Sequence, residues 1–334
     1  MRLLIATDAW RPQINGVVRS LEYMAAEAPH FGVEVAFLTP ERFRSFPMPT
    51  YPEIRLSLAG PGRVARIVEE IRPTHLHIAT EGPIGLALRI ACSRQGRAFT
   101  TSYHTRFPEY VSARTPIPES WSYRALRRFH RGSRALMVST PSLERELVAR
   151  EFRNIARWTR GVDTALFRPR EERALEGPFP IFLYVGRVAV EKNLEAFLRL
   201  DLPGTKVVVG DGPARSELER RYPSARFLGA LTGEALARVY ASSDVFVFPS
   251  LTDTFGIVLL EALASGLPVA AFPVTGPADV IGASGCGVLK ADLREAALEA
   301  LAIPRERCRA YGETFTWQES ARQFFSTIEA AHAR

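Results

Sequence analysis

Short apolar runs alternate with amphipathic stretches along the whole chain, and this alternation leaves few folds open. In the first half the apolar runs fall at 3–7, 33–38, 75–79, 98–103 and 135–138, with helical periodicity at 17–28, 63–71, 85–93 and 142–149 between them. Brief apolar strands separated by helices predict parallel sheets covered on both faces, an α/β architecture. A break without apolar periodicity follows, Phe167-Arg-Pro-Arg-Glu-Glu-Arg and then Glu176-Gly-Pro-Phe-Pro180. The stretch 168–178 reads as a linker. The alternation then resumes, with strands at 181–185, 206–209, 226–228, 245–248 and 268–271 and helices at 193–200, 233–241 and 255–264. A final helical stretch, 316–331, is placed to pack back across the linker. The expected organisation is therefore a domain at 1–167, a linker at 168–178, a second domain at 179–315 and a returning helix at 316–334. With 334 residues, 46% of them hydrophobic, the chain can fill two cores.

Two such domains facing each other make a cleft, and ligands of open α/β sheets bind at the carboxyl ends of the strands. The loops after strands are therefore where chemistry is expected. Three widely spaced cysteines, Cys92, Cys286 and Cys308, form no metal motif and fit a reducing compartment. The chain opens MRLLIATDAW, directly on a strand, so no signal peptide is expected. No apolar run reaches the roughly 18 residues of a membrane span.

Charge is unevenly spread. Residues 1–169 carry a balance of +10 and residues 170–334 a balance of −3, within a total of +7. A basic first half points to an anionic surface, membrane phosphate or nucleic acid, unless it is compositional drift. Nearly all basic residues are arginine. Only Lys192, Lys206 and Lys290 are lysine, so a lysine inside a motif stands out.

The most informative stretch is Ser250-Leu-Thr-Asp-Thr-Phe-Gly-Ile-Val-Leu-Leu-Glu-Ala-Leu-Ala-Ser-Gly-Leu-Pro268. It runs from a strand end through a polar loop into a helix expected to begin near Phe255. Asp253 precedes the helix and Glu261 lies within it. Eight residues of helical rise separate them by about 12 Å, less the irregular turn. Paired carboxyls acting on one glycosidic bond stand about 5–9.5 Å apart. This pair suits the two ends of one elongated ligand better. Between them lie the unpaired N–H groups of the helix start, near Gly256 and Ile257, a ready anion site. The alternative is that Asp253 only caps the helix and Glu261 is a solvated helix residue.

This stretch resembles the E-x7-E signature of retaining glycosyltransferases of family 4, which have the GT-B fold, with Asp253 in place of the first glutamate. Further stretches resemble that family in the right order along about 1–330. Trp10-Arg-Pro-Gln-Ile-Asn-Gly-Val-Val18 is similar to its P-x-x-N-G-V loop, though any βα loop can carry Asn-Gly. Thr101-Ser-Tyr-His-Thr-Arg-Phe-Pro-Glu-Tyr110 is similar to Y-H-T-D-F-P-x-Y, with Arg106 replacing the aspartate. Arg160-Gly-Val-Asp-Thr-Ala-Leu-Phe-Arg-Pro169 is similar to N-G-V-D-x-x-x-F-x-P. Tyr184-Val-Gly-Arg-Val-Ala-Val-Glu-Lys-Asn193 is similar to G-R-x-x-x-x-K-N, and Gly210-Asp-Gly-Pro213 to G-x-G-P.

The resemblance implies two Rossmann-like domains, the C-terminal helix crossing back to the first, and transfer of a sugar from a nucleoside-diphosphate carrier. It implies catalytic roles for Asp253, His104, Arg187 and Lys192. It places Gly16, Arg187, Lys192, Phe255, Gly256, Ile257 and Glu261 around the donor, with the loop 227–233 near its base. Arg187 and Lys192 would hold the diphosphate and His104 the sugar. A lone histidine is often structural, but this one ends a strand. No D-x-D occurs in the sequence. With two cations at the diphosphate, neither a divalent metal nor another cofactor is expected beyond the nucleotide-sugar co-substrate.

In 118–134, PESWSYRALRRFHRGSR, helical spacing puts Trp121, Ala125, Leu126 and Phe129 on one arc and Arg124, Arg127, Arg128, Arg131 and Arg134 on the other. Such a helix can face anionic lipid headgroups, or lay its apolar arc on the core beneath a solvated basic face. Its place after the His104 stretch resembles members that glycosylate diacylglycerol or related lipids: sulfoquinovosyl-, glucosyl- and glucuronosyl-diacylglycerol synthases and lipid mannosyltransferases. The expected partners are a nucleoside-diphosphate sugar, a lipid acceptor and an anionic membrane surface, with no obligate protein partner. The expected location is the inner face of the plasma membrane, peripheral and cytoplasmic. A UDP-sugar follows from the glycolipid resemblance alone. GDP-mannose, a soluble sugar acceptor, and an epimerase or phosphorylase on the same fold are the rivals. A basic nucleic-acid-binding protein is the rival of another class, and no nucleic-acid motif supports it.

Overall fold

A computed structural model of the chain describes residues 1–13, 15–48, 51–112 and 115–333. Ile14 of the first-strand loop and the side chain of Tyr110 lie outside the described residues. The chain forms two compact units, Met1–Arg160 with the terminal helix Trp317–Ala333, and Gly161–Thr316.

The first unit holds a six-stranded sheet of β1 (Arg2–Ala6), β2 (Glu34–Leu38), β5 (His75–Ile78), β6 (Thr100–Ser102), β7 (Leu136–Val138) and β8 (Ile155–Arg157). A separate antiparallel hairpin, β3 (Ser45–Met48) and β4 (Tyr51–Ser57), is inserted after β2. The sheet is parallel in the order β2-β1-β5-β6-β7-β8. Its order turns back between β1 and β5, so the loops after these two strands flank a topological switch point.

In the second unit β9 (Ile181–Val185), β10 (Thr205–Val209), β11 (Arg226–Phe227), β12 (Val245–Phe248), β13 (Val269–Ala271) and β14 (Gly287–Leu289) pair in the order β11-β10-β9-β12-β13-β14, all parallel. The run Ile181-Phe-Leu-Tyr-Val185 is buried throughout because both faces of the sheet are covered. Ile181, Leu183 and Val185 enter one core with Phe246 and Leu260, while Phe182 and Tyr184 enter the other with Val245 and Phe197. Here the switch point lies between β9 and β12.

The expected linker is part of the second unit. Phe167 packs edge-on against Tyr240 at 5.6 Å between ring centroids, and Leu175 is buried in the same core. Ala174 N donates to Ser242 Oγ at 2.7 Å, and Arg170 pairs with Glu234 at 2.8 Å. Two apolar side chains without periodicity are enough to pin 167–178, and the chain changes unit at Arg160–Gly161 instead. The terminal helix joins the first unit. Trp317 stacks on Tyr23 at 4.3 Å, and His332 Nε2 accepts from Leu76 N at 3.2 Å.

Candidate active site

The second unit's switch point is lined by the loop after β9, which carries Arg187 and Lys192, and the loop after β12, which carries Asp253. Lys192 closes a short 3₁₀ turn, Val190–Lys192, and its ammonium reaches across to pair with Asp253 Oδ1. Both side chains are mostly buried. The neighbouring Asn193 takes the left-handed conformation (φ 51°) and donates through Nδ2 to Pro249 O at 3.1 Å. Two consecutive residues thus tie the loop after β9 to the loop after β12. The loop after β10 braces the first of these from the other side, with Val188 N donating to Asp211 O at 2.9 Å. Tyr184 Oη donates to Arg187 O at 2.8 Å and fixes the backbone there.

Helix Ile257–Ala264 starts two residues later than its periodicity predicts. Gly256 sits at φ 84°, a left-handed conformation that interrupts the helix before Ile257. No side chain caps this helix start, so Asp253 is not an N-cap. A helix start without a side-chain cap is suited to an anion. Asp253 Oδ2 is shielded from solvent and has no hydrogen-bond partner among the described residues. Gly276 lies against the Asp253–Phe255 backbone so closely that an added Cβ would stand 2.9 Å from Asp253 O. The Phe255 side chain is buried in the core, so its route to a ligand is through the backbone. Ile257 packs partly against the same core. Glu261 is not a solvated helix residue. It is 2% exposed, and its Oε2 accepts from Tyr240 Oη at 3.0 Å.

Gly16 and His104 belong to the first unit. Asn15 Oδ1 accepts from Val17 N and Val18 N, both at 3.0 Å, and so caps helix Gly16–Glu27 with Gly16 as its first residue. His104 follows β6. Its Nδ1 lies 3.2 Å from Arg160 Nη2, and its ring meets Trp158 edge to face at 5.6 Å. Burial, then the Arg160 charge, then His77 hold the His104 pKa well below the ordinary histidine value.

Three features escape sequence reading. Asp8, after β1, accepts from Ile84 N at 2.8 Å, Gly85 N at 3.2 Å and Thr80 Oγ1 at 3.0 Å, bridging the loops after β1 and β5. Burial raises its pKa against these bonds. An acid directly after the first strand was its only signal. Arg106, in place of the family aspartate, pairs with Glu109 at 3.0 Å and Glu146 at 2.7 Å, while Tyr123 Oη lies within hydrogen-bond reach of the same two carboxylates, at 2.7 and 3.1 Å. These ion pairs give Arg106 a structural role. Finally, Asn193 is a positioning residue visible only as part of the Lys-Asn pair.

Helix Glu119–His130 buries Tyr123, Leu126, Phe129 and His130. Trp121, expected on the apolar arc, is 66% exposed and shares the outer face with Arg124, Ala125, Arg128 and Arg131. Tyr123, one of the missed core residues, turns the buried arc away from Trp121. Arg127 pairs with Glu151 and is half-buried. Among the described residues no helix is long and apolar enough to cross a membrane.

Two Rossmann-like parallel sheets, with Lys192 and Asp253 paired at the second unit's switch point beside an uncapped helix start, characterise a nucleotide-sugar glycosyltransferase of the GT-B fold. The Glycosyltransferase Family 4 profile matches residues 14–166 and the Glycosyl transferases group 1 profile residues 179–303. A GDP-mannose-dependent alpha-mannosyltransferase of Mycobacterium tuberculosis is 32% identical over 317 residues, covering 86% of this chain and 83% of its own. The chain belongs to glycosyltransferase family 4. Sulfoquinovosyl transferase SQD2 of Arabidopsis thaliana is 33% identical over 257 residues, 71% of this chain but only half of that protein. Alpha-monoglucosyldiacylglycerol synthase of Streptococcus pneumoniae is 25% identical over 313 residues, 81% of this chain and 71% of its own. Among solved structures, a sucrose-phosphate synthase from Thermosynechococcus elongatus superposes with a TM-score of 0.79 at 19% identity, over 99% of each chain. Anabaena HepE with UDP and glucose superposes at 0.74 and 15% identity, over 99% of this chain and 100% of that one.

Proposed function

We propose that this enzyme transfers a hexose or hexuronate from a UDP-sugar to a membrane lipid such as diacylglycerol, with retention, giving an α-glycolipid. The observation that carries the donor half is the pairing of Lys192 with Asp253 across the switch point, beside the uncapped helix start at Ile257. Arg187, Lys192 and the helix N–H groups meet the diphosphate, without a divalent ion in the scheme. Asp253 orients the donor sugar and Glu261 the ribose. In a front-face substitution the bond from the anomeric carbon to the phosphate oxygen breaks while the acceptor oxygen bonds on the same face. The acceptor proton passes to the departing phosphate. The fixed cations stabilise the charge that grows on that phosphate.

The lipid half rests on the outer face of helix Glu119–His130. An exposed tryptophan among arginines suits the boundary between acyl chains and anionic headgroups. Phe107 and Ile117, 41% and 44% exposed in the neighbouring segments, extend the apolar character of this region. The enzyme is read as peripheral on the cytoplasmic face. A second reading, a GDP-mannose-dependent α-mannosyltransferase, is favoured by the relative that the chain covers to 83% of its length.

A screen pairing UDP- and GDP-sugars with diacylglycerol, phosphatidylinositol and soluble sugars tests the assignment, with the product's anomeric configuration read from NMR coupling constants. The α-glycolipid from a UDP-sugar is expected. A mannosylated product from GDP-mannose would replace the donor, a soluble product would remove the lipid, and a β-linked product would remove retention.

A further inference from the structure

Arg160 is the last residue of the first unit, and its guanidinium is spent inside that unit. The residue is 4% exposed, and the guanidinium carbon lies 3.8 Å from the centroid of the Trp158 ring. Nη1 donates to Trp158 O at 2.6 Å and to Thr159 O at 3.0 Å. The platform beneath it is held by the terminal helix. Trp158 Nε1 donates to Ser320 Oγ at 3.0 Å, Ser320 Oγ donates to Thr159 O at 2.9 Å, and Thr159 N donates to Gln323 Oε1 at 3.0 Å. Phe324 closes the other side of the Trp158 ring at 4.5 Å between centroids. The guanidinium therefore has a fixed position from which Nη2 points at His104 Nδ1, 3.2 Å away.

A guanidinium carries donors only. Nδ1 of His104 must be the acceptor in this contact, and a neutral imidazole then carries its proton on Nε2. We propose that Arg160 is the positioning residue of His104, holding the neutral imidazole in its Nε2–H form so that it presents a hydrogen-bond donor rather than an acceptor. Its catalytic part rests on the reading of His104 as a donor-sugar residue. The chemistry favours such an arrangement. Glycosyl transfer builds positive charge at the anomeric carbon. An imidazolium nearby would oppose that charge, whereas a neutral N–H donor does not. Burial and the fixed Arg160 cation both act against protonation of the ring. The terminal helix contributes to this geometry, because Ser320 and Gln323 set the backbone from which Arg160 reaches.

The test uses the full-length protein with ¹³C,¹⁵N-labelled histidine, the His104 signals being assigned by their loss in His104→Gln. In the wild type, His104 is expected as a single Nε2–H tautomer with no protonation between about pH 5 and 8. In Arg160→Met the ring, still kept neutral by burial, should lose that bias and populate the second tautomer. kcat should fall about tenfold across this range, and Arg160→Lys should restore much of the tautomer bias and the rate. A wild-type His104 that is Nδ1–H, or that protonates within the window, overturns the proposal without any variant having to fold. A tautomer change in Arg160→Met that leaves kcat untouched overturns its catalytic part. Failure of the wild type to transfer any sugar strikes the functional reading alone, because the tautomer measurement does not depend on turnover.

Discussion

The ammonium of Lys192 meets the carboxylate of Asp253 from 61 positions away in sequence, joining the two loops that flank the turning point of the second sheet. Each group holds the other in place, and each is assigned to the donor. Lys192→Ala should lower kcat at least about tenfold with the fold retained, since fixed charge at a leaving phosphate is commonly worth that much. Asp253→Asn should do likewise. Because the two act through one contact, the double variant should lose less than the product of the single losses. Steady-state kinetics on the four-protein cycle, with circular dichroism as the folding control, read this directly. Full multiplicative losses would mean that the contact does not couple them.

Glu261 is buried, with Tyr240 as a hydrogen-bond donor. Tyr240→Phe removes that donor and leaves the carboxylate without replacement solvent. Loss of about 1–3 kcal/mol of stability is expected. The same variant should weaken nucleotide binding, because the carboxylate is then less firmly aimed. Denaturant melts and nucleotide titration on Tyr240→Phe check the two effects separately.

Stability should decline in mild acid. His77 is enclosed by Thr100 Oγ1 at 2.9 Å and Ser102 Oγ at 3.0 Å, and burial pushes its pKa down to about 3. In the unfolded chain a histidine protonates near pH 6.5. The unfolded state therefore binds the proton first, and the stability contributed by neutral His77 is complete above about pH 6.5 and drains away between there and about pH 3. His104, His75 and His332 are shifted the same way, each chiefly by burial. His77→Gln should flatten the acid limb of a melting-temperature profile by up to about 1.4 kcal/mol per pH unit. An unchanged limb would show that His77 is not excluded from protonation in the fold.

Membrane contact should depend on Trp121 and its arginine neighbours together. Flotation with vesicles of phosphatidylglycerol and phosphatidylcholine should recover the wild type, and phosphatidylcholine alone should recover much less. A variant carrying Trp121→Ala, Arg124→Gln and Arg128→Gln should bind the anionic vesicles at least about tenfold more weakly, given about 1 kcal/mol for each basic residue near such a surface. Nucleotide binding should be unaffected. Equal recovery of wild type and variant would move the membrane face elsewhere.

Most of the sheet framework was legible because its strands are buried on both faces and so are nearly continuous apolar runs. β9 and β12 match their sequence-based bounds residue for residue. What was missed is short or carries little apolar signal: β8 has three residues ending in an arginine, β14 has three beginning with glycine, and β3 contains a proline. The linker was misplaced because Phe167 and Leu175 bury without periodicity. Trp121 was misplaced because Tyr123 completes the buried arc. At the site, residue types and order were readable as a family pattern, and the partners were not. Arg160 and His104 are 56 positions apart, as Lys192 and Asp253 are 61, and no local signal announces either contact.

The central claim is that the second unit holds a nucleoside diphosphate at Lys192. Calorimetric titration of UDP and GDP onto the wild type and Lys192→Ala tests it most directly. Saturable binding of UDP is expected, tighter than GDP, with affinity lost at least about tenfold in a well-folded Lys192→Ala. Absence of binding by either nucleotide, or equal affinity in the variant, would contradict it.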